Sequence, residues 1–179
     1  MSTNQTLLTI GALILFSTLI VSFYQLLARS GDTVDSAQLG IYQLTLATTY
    51  MELANGLNFD EATIDSNITA ANMNLLTHPN LLGPENPPPA YEDPETSFST
   101  FDDIDDLNNF SIIEGSNPGI IGTYKTTFKV YYVNPDNINQ IELSNRTFVK
   151  RLDLFVSRIQ PLSTDTLKTS MVMGYFHFD

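Results

Sequence analysis

Hydrophobic and polar positions divide the chain into three regimes. In the first, Leu7 to Ala28 (LLTIGALILFSTLIVSFYQLLA), there is no charge and no proline, and the polar members are Thr9, Ser17, Thr18, Ser22, Tyr24 and Gln25. As a helix, these 22 residues reach about 33 Å at about 1.5 Å per residue, enough to cross the hydrocarbon core of a bilayer. Beyond Ser30, Gly31 and Asp32, a weak break or recapping point, the pattern becomes amphipathic with helical spacing. With no proline before Pro79, the first fifty-odd residues are compatible with one long rod, kinked at Gly31. One stripe joins Val34, Ala37, Ile41, Leu44, Thr48 and Met51, and a second joins Leu39, Tyr42, Leu46, Tyr50, Leu53 and Leu57. Two apolar stripes predict a helix covered on more than one side, either buried within one domain or set between its own domain and neighbouring subunits, with Gly56 as its C-cap.

The second regime, residues 58–121, lacks a clear period. Its proline-rich run Gly83 to Glu95, GPENPPPAYEDPE, excludes helix and inner strand, and Phe59, Leu75, Leu76, Leu81, Leu82, Phe98 and Phe101 are the apolar anchors expected to pin it. The third regime, residues 122–179, alternates with period two. Gly122 to Val133 places Tyr124, Thr126, Phe128, Val130 and Tyr132 on one face and Lys125, Thr127 and Lys129 on the other. A turn at Pro135 to Asn137 leads to a weak strand near Gln140 to Leu143. Thr147 to Ile159 then forms a strand with Leu152, Leu154 and Val156 inward and Arg151 and Asp153 outward, and Leu167 to Phe178 forms another. Strands joined by short turns make an antiparallel meander that needs a cover on its apolar face, and the amphipathic half-helix supplies one. The predicted class is α+β, divided as 1–30 apolar half-helix, 31–57 amphipathic half-helix, 58–121 irregular loops and 122–179 sheet.

Charge sharpens this picture. The net charge of −12 argues against nucleic acid as a partner, since phosphate binding needs a basic stripe. No Lys or Arg lies between Arg29 and Lys125, where fifteen Asp and Glu fall, whereas seven basic residues stand against five acidic ones from Lys125 onward. An acidic middle beside a basic end predicts either complementary surfaces, within one subunit or between neighbours, or simply an acidic, well-solvated loop region. With no cysteine, thiol catalysis, disulfides and cysteine-based zinc sites are excluded, and the two histidines, His78 and His177, make a poor metal constellation. No nucleophile elbow, phosphate loop, zinc or dinucleotide motif appears, so no enzyme and no catalytic residue is expected. The run Asp102, Asp103, Asp105 and Asp106 offers oxygen ligands to a hard cation such as calcium, without the spacing of an EF-hand; a solvated or N-capping turn is the competing reading. Asn-x-Ser/Thr triplets at Asn4, Asn67, Asn109 and Asn145 leave surface glycosylation open.

The order of elements (apolar then amphipathic helix, loop region, C-terminal antiparallel sheet) resembles the type IV pilins and type II secretion pseudopilins. The stretches Phe101 to Phe110, FDDIDDLNNF, and Gly56 to Thr63, GLNFDEAT, are similar to stretches in pilin-like proteins. The resemblance implies a subunit of an extracellular helical filament, a homo-oligomer held in the inner membrane before assembly and served by pilus or secretion machinery. Its assembly helix would carry Met1, Gln5, Leu7, Leu8, Ile10, Leu13, Ile14, Phe16, Leu19, Ile20, Phe23, Tyr24 and Leu27. Gln5 stands where that family has a glutamate; its amide can hydrogen-bond a neighbour's terminal amine but cannot neutralise it. The family's basic leader and its proline in the apolar half are also missing from this sequence. A cleaved signal peptide, and a membrane-anchored surface domain that stays monomeric and binds a ligand, are the alternative readings of the apolar segment.

Overall fold

A computed structural model describes residues 3–85, 95–115, 122–161 and 163–176. The first element is a single helix, α1, from Thr3–Ala54, 52 residues long. It is the one long rod expected, and the weak break at Ser30, Gly31 and Asp32 does not interrupt it. One glycine costs a helix about 0.5–1 kcal/mol, too little to interrupt a long run of good formers that contains no proline. Nor does Gly56 serve as a left-handed C-cap: among the described residues the positive-φ glycines are Gly83, Gly115 and Gly122. The helix closes instead in tightening turns, with Asn55 N donating to Met51 O at 3.0 Å and Gly56 N to Leu53 O at 3.1 Å.

The chain forms two compact units, Met1–Ile41 and Tyr42–Asp179. The described part of the first is all helix. Its hydroxyl side chains fold back on their own turns: Thr6 to Thr3 O, Thr9 to Gln5 O and Thr6 O, Ser17 to Leu13 O, Thr18 to Leu15 O and Ser22 to Thr18 O.

The second unit holds the end of α1, a short helix α2 (Ala62–Asp65) and five strands: β1 (Ser111–Glu114), β2 (Thr123–Asn134), β3 (Asn137–Ile141), β4 (Val149–Gln160) and β5 (Thr166–Gly174). The sheet is antiparallel throughout in the order β1-β2-β4-β5, with β3 folding back as a hairpin on the end of β2. Period two sets its two faces. Tyr124, Thr126, Phe128, Val130 and Tyr132 of β2 and Leu152, Leu154 and Val156 of β4 are buried, as their alternation predicts. The end of α1 covers them. Tyr42 stacks on Tyr124 with ring centroids 5.1 Å apart, Tyr50 meets Phe128 edge-on at 5.5 Å, and Gln43 Nε2 donates to Val156 O at 2.5 Å. Phe98, Phe101 and Phe110 extend the aromatic packing around Phe128.

The two helical stripes have different fates. Leu39, Leu46 and Tyr50 of the second stripe are buried, together with Ala47 and Ala54, while Val34, Ile41 and Leu44 of the first stay exposed. The stripe through Leu46 and Tyr50 thus serves the protein's own sheet, and the bare one is the stripe from Val34 to Leu44. Two further expectations are corrected. The region 58–121 contains a strand, β1, which pairs with β2 from Ser111↔Thr127 to Glu114↔Tyr124. Asp153, expected outward on β4, is only 3% exposed, because Arg151, Lys168 and Ser170 close over it.

Candidate functional site

Two features carry chemistry, and the first is the apolar rod. Side chains on every side of α1 between Leu7 and Leu27 are exposed, from 40% at Ile20 to 75% at Leu8. The helix contains an 18-residue window of mean hydropathy 2.2, none of it buried, and is long and apolar enough to cross a membrane. Leu7, Leu8, Ile10, Leu13, Ile14, Phe16, Leu19, Ile20, Phe23, Tyr24 and Leu27 all lie on this bare surface, and Gln5 sits exposed in the first turn. Met1 lies outside the described residues, as does His177.

The second feature is a buried acidic network at the base of the loop region. It is built where the two stretches GLNFDEAT and FDDIDDLNNF pair with each other. Asn58 bridges Asp103 in parallel fashion: Asn58 N donates to Asp102 O at 2.9 Å, and Ile104 N donates to Asn58 O at 3.0 Å. This crossing delivers Asp60 and Asp105 to one cation. Lys150 on β4 is fully buried, and its Nζ lies 2.8 Å from Asp60 Oδ2, 2.5 Å from Asp105 Oδ1 and 2.7 Å from Phe59 O. The ammonium also sits over the rings of Phe59 and Tyr132, 4.8 and 5.1 Å from their centroids.

Asp60 is the hub of this network. Its carboxylate accepts from Ala62 N, from Thr77 N and Oγ1, and from the Tyr132 hydroxyl at 2.9 Å. Burial pulls the Lys150 pKa down, but the charges of Asp105, Asp60 and Asp103 outweigh it, and the ammonium titrates above its usual range. Burial, with Asp60 next to it, pushes the Tyr132 phenol up.

The four aspartates of the acidic run part company. Asp103 Oδ1 accepts from Asp105 N at 2.8 Å and Asp106 N at 3.3 Å, which fixes the 3₁₀ turn Asp105–Leu107. Asp106 Oδ2 accepts in return from Asp102 N and Asp103 N at 3.2 and 3.3 Å. Asp105 turns to Lys150. Asp106 alone of the four joins a carboxylate cluster with ligand spacing: one oxygen each from Glu85, Glu95 and Asp106 lie within 4.8 Å of one another. Burial, followed by the repulsion of neighbouring carboxylates, raises Asp103 well above its ordinary range. Burial and then the Glu95 charge lift Asp106 to about 8; burial, then a hydrogen bond with Glu95 and its charge, lift Glu85 to about 9.

Sequence reasoning missed Lys150, Asp60, Tyr132, Glu85 and Glu95. For Lys150 a signal existed, since it stands two residues before Leu152 on the inward phase of β4, and a lysine in that phase must find a buried anion. Glu85 and Glu95 flank the proline-rich run, and nothing in their spacing places them beside Asp106. Comparison with protein-family models, with curated proteins and with solved structures finds no match for the chain.

Proposed function

We propose that this chain is a structural, non-enzymatic subunit of an extracellular helical filament resembling a type IV pilus or pseudopilus, held in the inner membrane by its apolar half-helix until it assembles. The observation that carries the reading is the state of α1. Its first half is apolar and bare on every side, and in its second half Leu46 and Tyr50 of one stripe are buried in the protein's own domain while Leu53 of that stripe and Val34, Ile41 and Leu44 of the other stay exposed. A monomeric anchored domain has no use for that second bare stripe. In a bundle of identical helices it is a contact surface.

The mechanism is a change of apolar surroundings. Lipid tails and a helical core are similarly apolar, so leaving one for the other gains little hydrophobic free energy, and helix packing must bias the transfer. A head-to-tail contact that does not close on itself generates an open filament.

The test is electron microscopy of material sheared from cells that express the chain, with mass spectrometry of the fibre subunit and its N-terminus. Fibres built of this chain with the apolar segment retained are the expected result. A chain that stays monomeric in the membrane, or whose mature form lacks residues 7–28, overturns the reading.

A further inference from the structure

Lys150 neutralises Asp60 and Asp105, but among the described residues no lysine or arginine pairs with Glu85, Glu95 or Asp106. Glu95 is 8% exposed and Asp106 only 1%. Asp106 spends Oδ2 on two backbone amides, while its Oδ1 is buried and accepts no hydrogen bond among the described residues. Glu95 Oε2 accepts from Glu85 N at 2.9 Å, which holds the two glutamates together. Two buried carboxylates beside a third that is partly exposed, with one buried oxygen unsatisfied among the described residues, need either protons or a cation.

We propose that Glu85, Glu95 and Asp106 bind a divalent cation of calcium's size. Two oxygens bound to one calcium at about 2.3–2.6 Å lie at most about 4.6–5.2 Å apart. An oxygen spread of up to 4.8 Å falls within that span, so small side-chain adjustments bring the three oxygens around one calcium. Magnesium, at about 2.0–2.1 Å, admits oxygens no more than about 4.2 Å apart and tolerates distortion poorly. Calcium takes about six to eight oxygens, so water completes the shell. Water has a path: Glu85 lines an open cleft of about 580 Å³ together with Asn74, His78 and Arg146. Arg146 in that cleft donates its Nε to Leu76 O at 2.6 Å. The site differs from the acidic run as read in sequence, because only Asp106 belongs to both. It ties the two ends of the proline-rich run to the turn that places Asp105 on Lys150, and it does not depend on whether the chain polymerises.

The experiment is calorimetric titration of the full chain in detergent micelles, stripped with chelator, using calcium chloride and then magnesium chloride near neutral pH. One calcium per chain, an upward shift of the melting temperature, and proton release seen as a dependence of the heat on buffer ionisation are expected. Glu95→Gln and Asp106→Asn lose affinity by roughly tenfold or more, since ligand charge sets affinity in such sites, while Asp136→Asn in an exposed turn binds as the parent does. Glu85→Gln, at a half-exposed position, decides the matter if the two buried variants fail to fold, and it too loses roughly tenfold. Absence of calcium binding by the parent, or unchanged affinity in Glu85→Gln, overturns the proposal and leaves shared protons as what neutralises the cluster.

Discussion

Lys150 and Asp60, ninety residues apart in the chain, meet at 2.8 Å with both side chains fully buried. Through this contact the sheet holds the loop region in place, because Asp60 also gathers Thr77 and Tyr132 and so connects α2, the following loop and β2. A buried ion pair is poor grounds for stability relative to an apolar substitute, but losing one member strands the other.

Lys150→Met is therefore expected to destabilise the second unit by roughly 3–5 kcal/mol, since it leaves Asp60 and Asp105 charged and unpartnered in the interior. Denaturant unfolding in micelles measures this. Adding Asp60→Asn and Asp105→Asn to Lys150→Met should recover part of the loss. A triple variant no more stable than the single one would show that packing of the lysine stem, not charge, is what the site needs.

Tyr132→Phe removes a hydroxyl that donates to Asp60 and reaches Thr77 O, both at 2.9 Å, while it keeps the ring under the ammonium. The expected cost is roughly 1.5–3 kcal/mol, the usual worth of a hydrogen bond to a charged group. It should be smaller than that of Lys150→Met in the same unfolding assay.

The acidic cluster makes stability depend on pH in a definite sense. Glu85 and Asp106 bind protons more tightly in the folded chain, at about 9 against 4.5 and about 8 against 3.8, and Asp103 shifts the same way. Their contribution is complete below the unfolded values and is lost as pH rises through about 8 and 9. In chelator, the melting temperature should fall steadily from mildly acidic to alkaline pH, with a shallower slope in Glu85→Gln. Asp153 acts in the opposite sense: burial would raise it, but Ser170, Lys168 and Arg151 more than compensate and lower it. Its contribution is present above 3.8 and disappears as pH falls through its lower folded value.

On the proposed filament reading, exposure along α1 separates residues needed for folding from residues needed for assembly. Leu44→Glu, on the bare stripe, should change unfolding free energy by no more than about 0.5 kcal/mol and yet abolish sheared fibres. Leu46→Ala, two positions away but buried under the sheet, should cost roughly 2–5 kcal/mol. Fibre yield unchanged in Leu44→Glu would count against the filament reading.

Much of the architecture is legible in the residues because it rests on long periodic runs. The helix spans fifty-two residues, and β2 and β4 alternate over twelve residues each; such runs fix their own faces. What escaped is short or non-local. β1 is four residues, Ser-Ile-Ile-Glu, too few to display a period. Asp153 looks outward by alternation, and only the pairing Asp153↔Ser170 in β5 shows that its side of the sheet is covered. The network was half visible. The segregation of acidic and basic residues left open a partnership within the chain, one between neighbours, or a solvated acidic loop, and the structure brings Asp60 and Asp105 from the acidic middle to Lys150 from the basic end. Which residues meet is decided by the crossing at Asn58 and Asp103, forty-odd positions apart, and local pattern carries no information at that range.

The hydroxyl groups of Thr6, Thr9, Ser17, Thr18 and Ser22 are already committed to carbonyls of their own helix. Tyr24 and Gln25 apart, the rod is thus closer to plain hydrocarbon than its composition implies, and it turns a similar aspect to its surroundings in most directions. Such a cylinder can spin about its long axis at little cost. Azimuthal orientation has to be dictated from beyond Arg29, by whatever grips the far end.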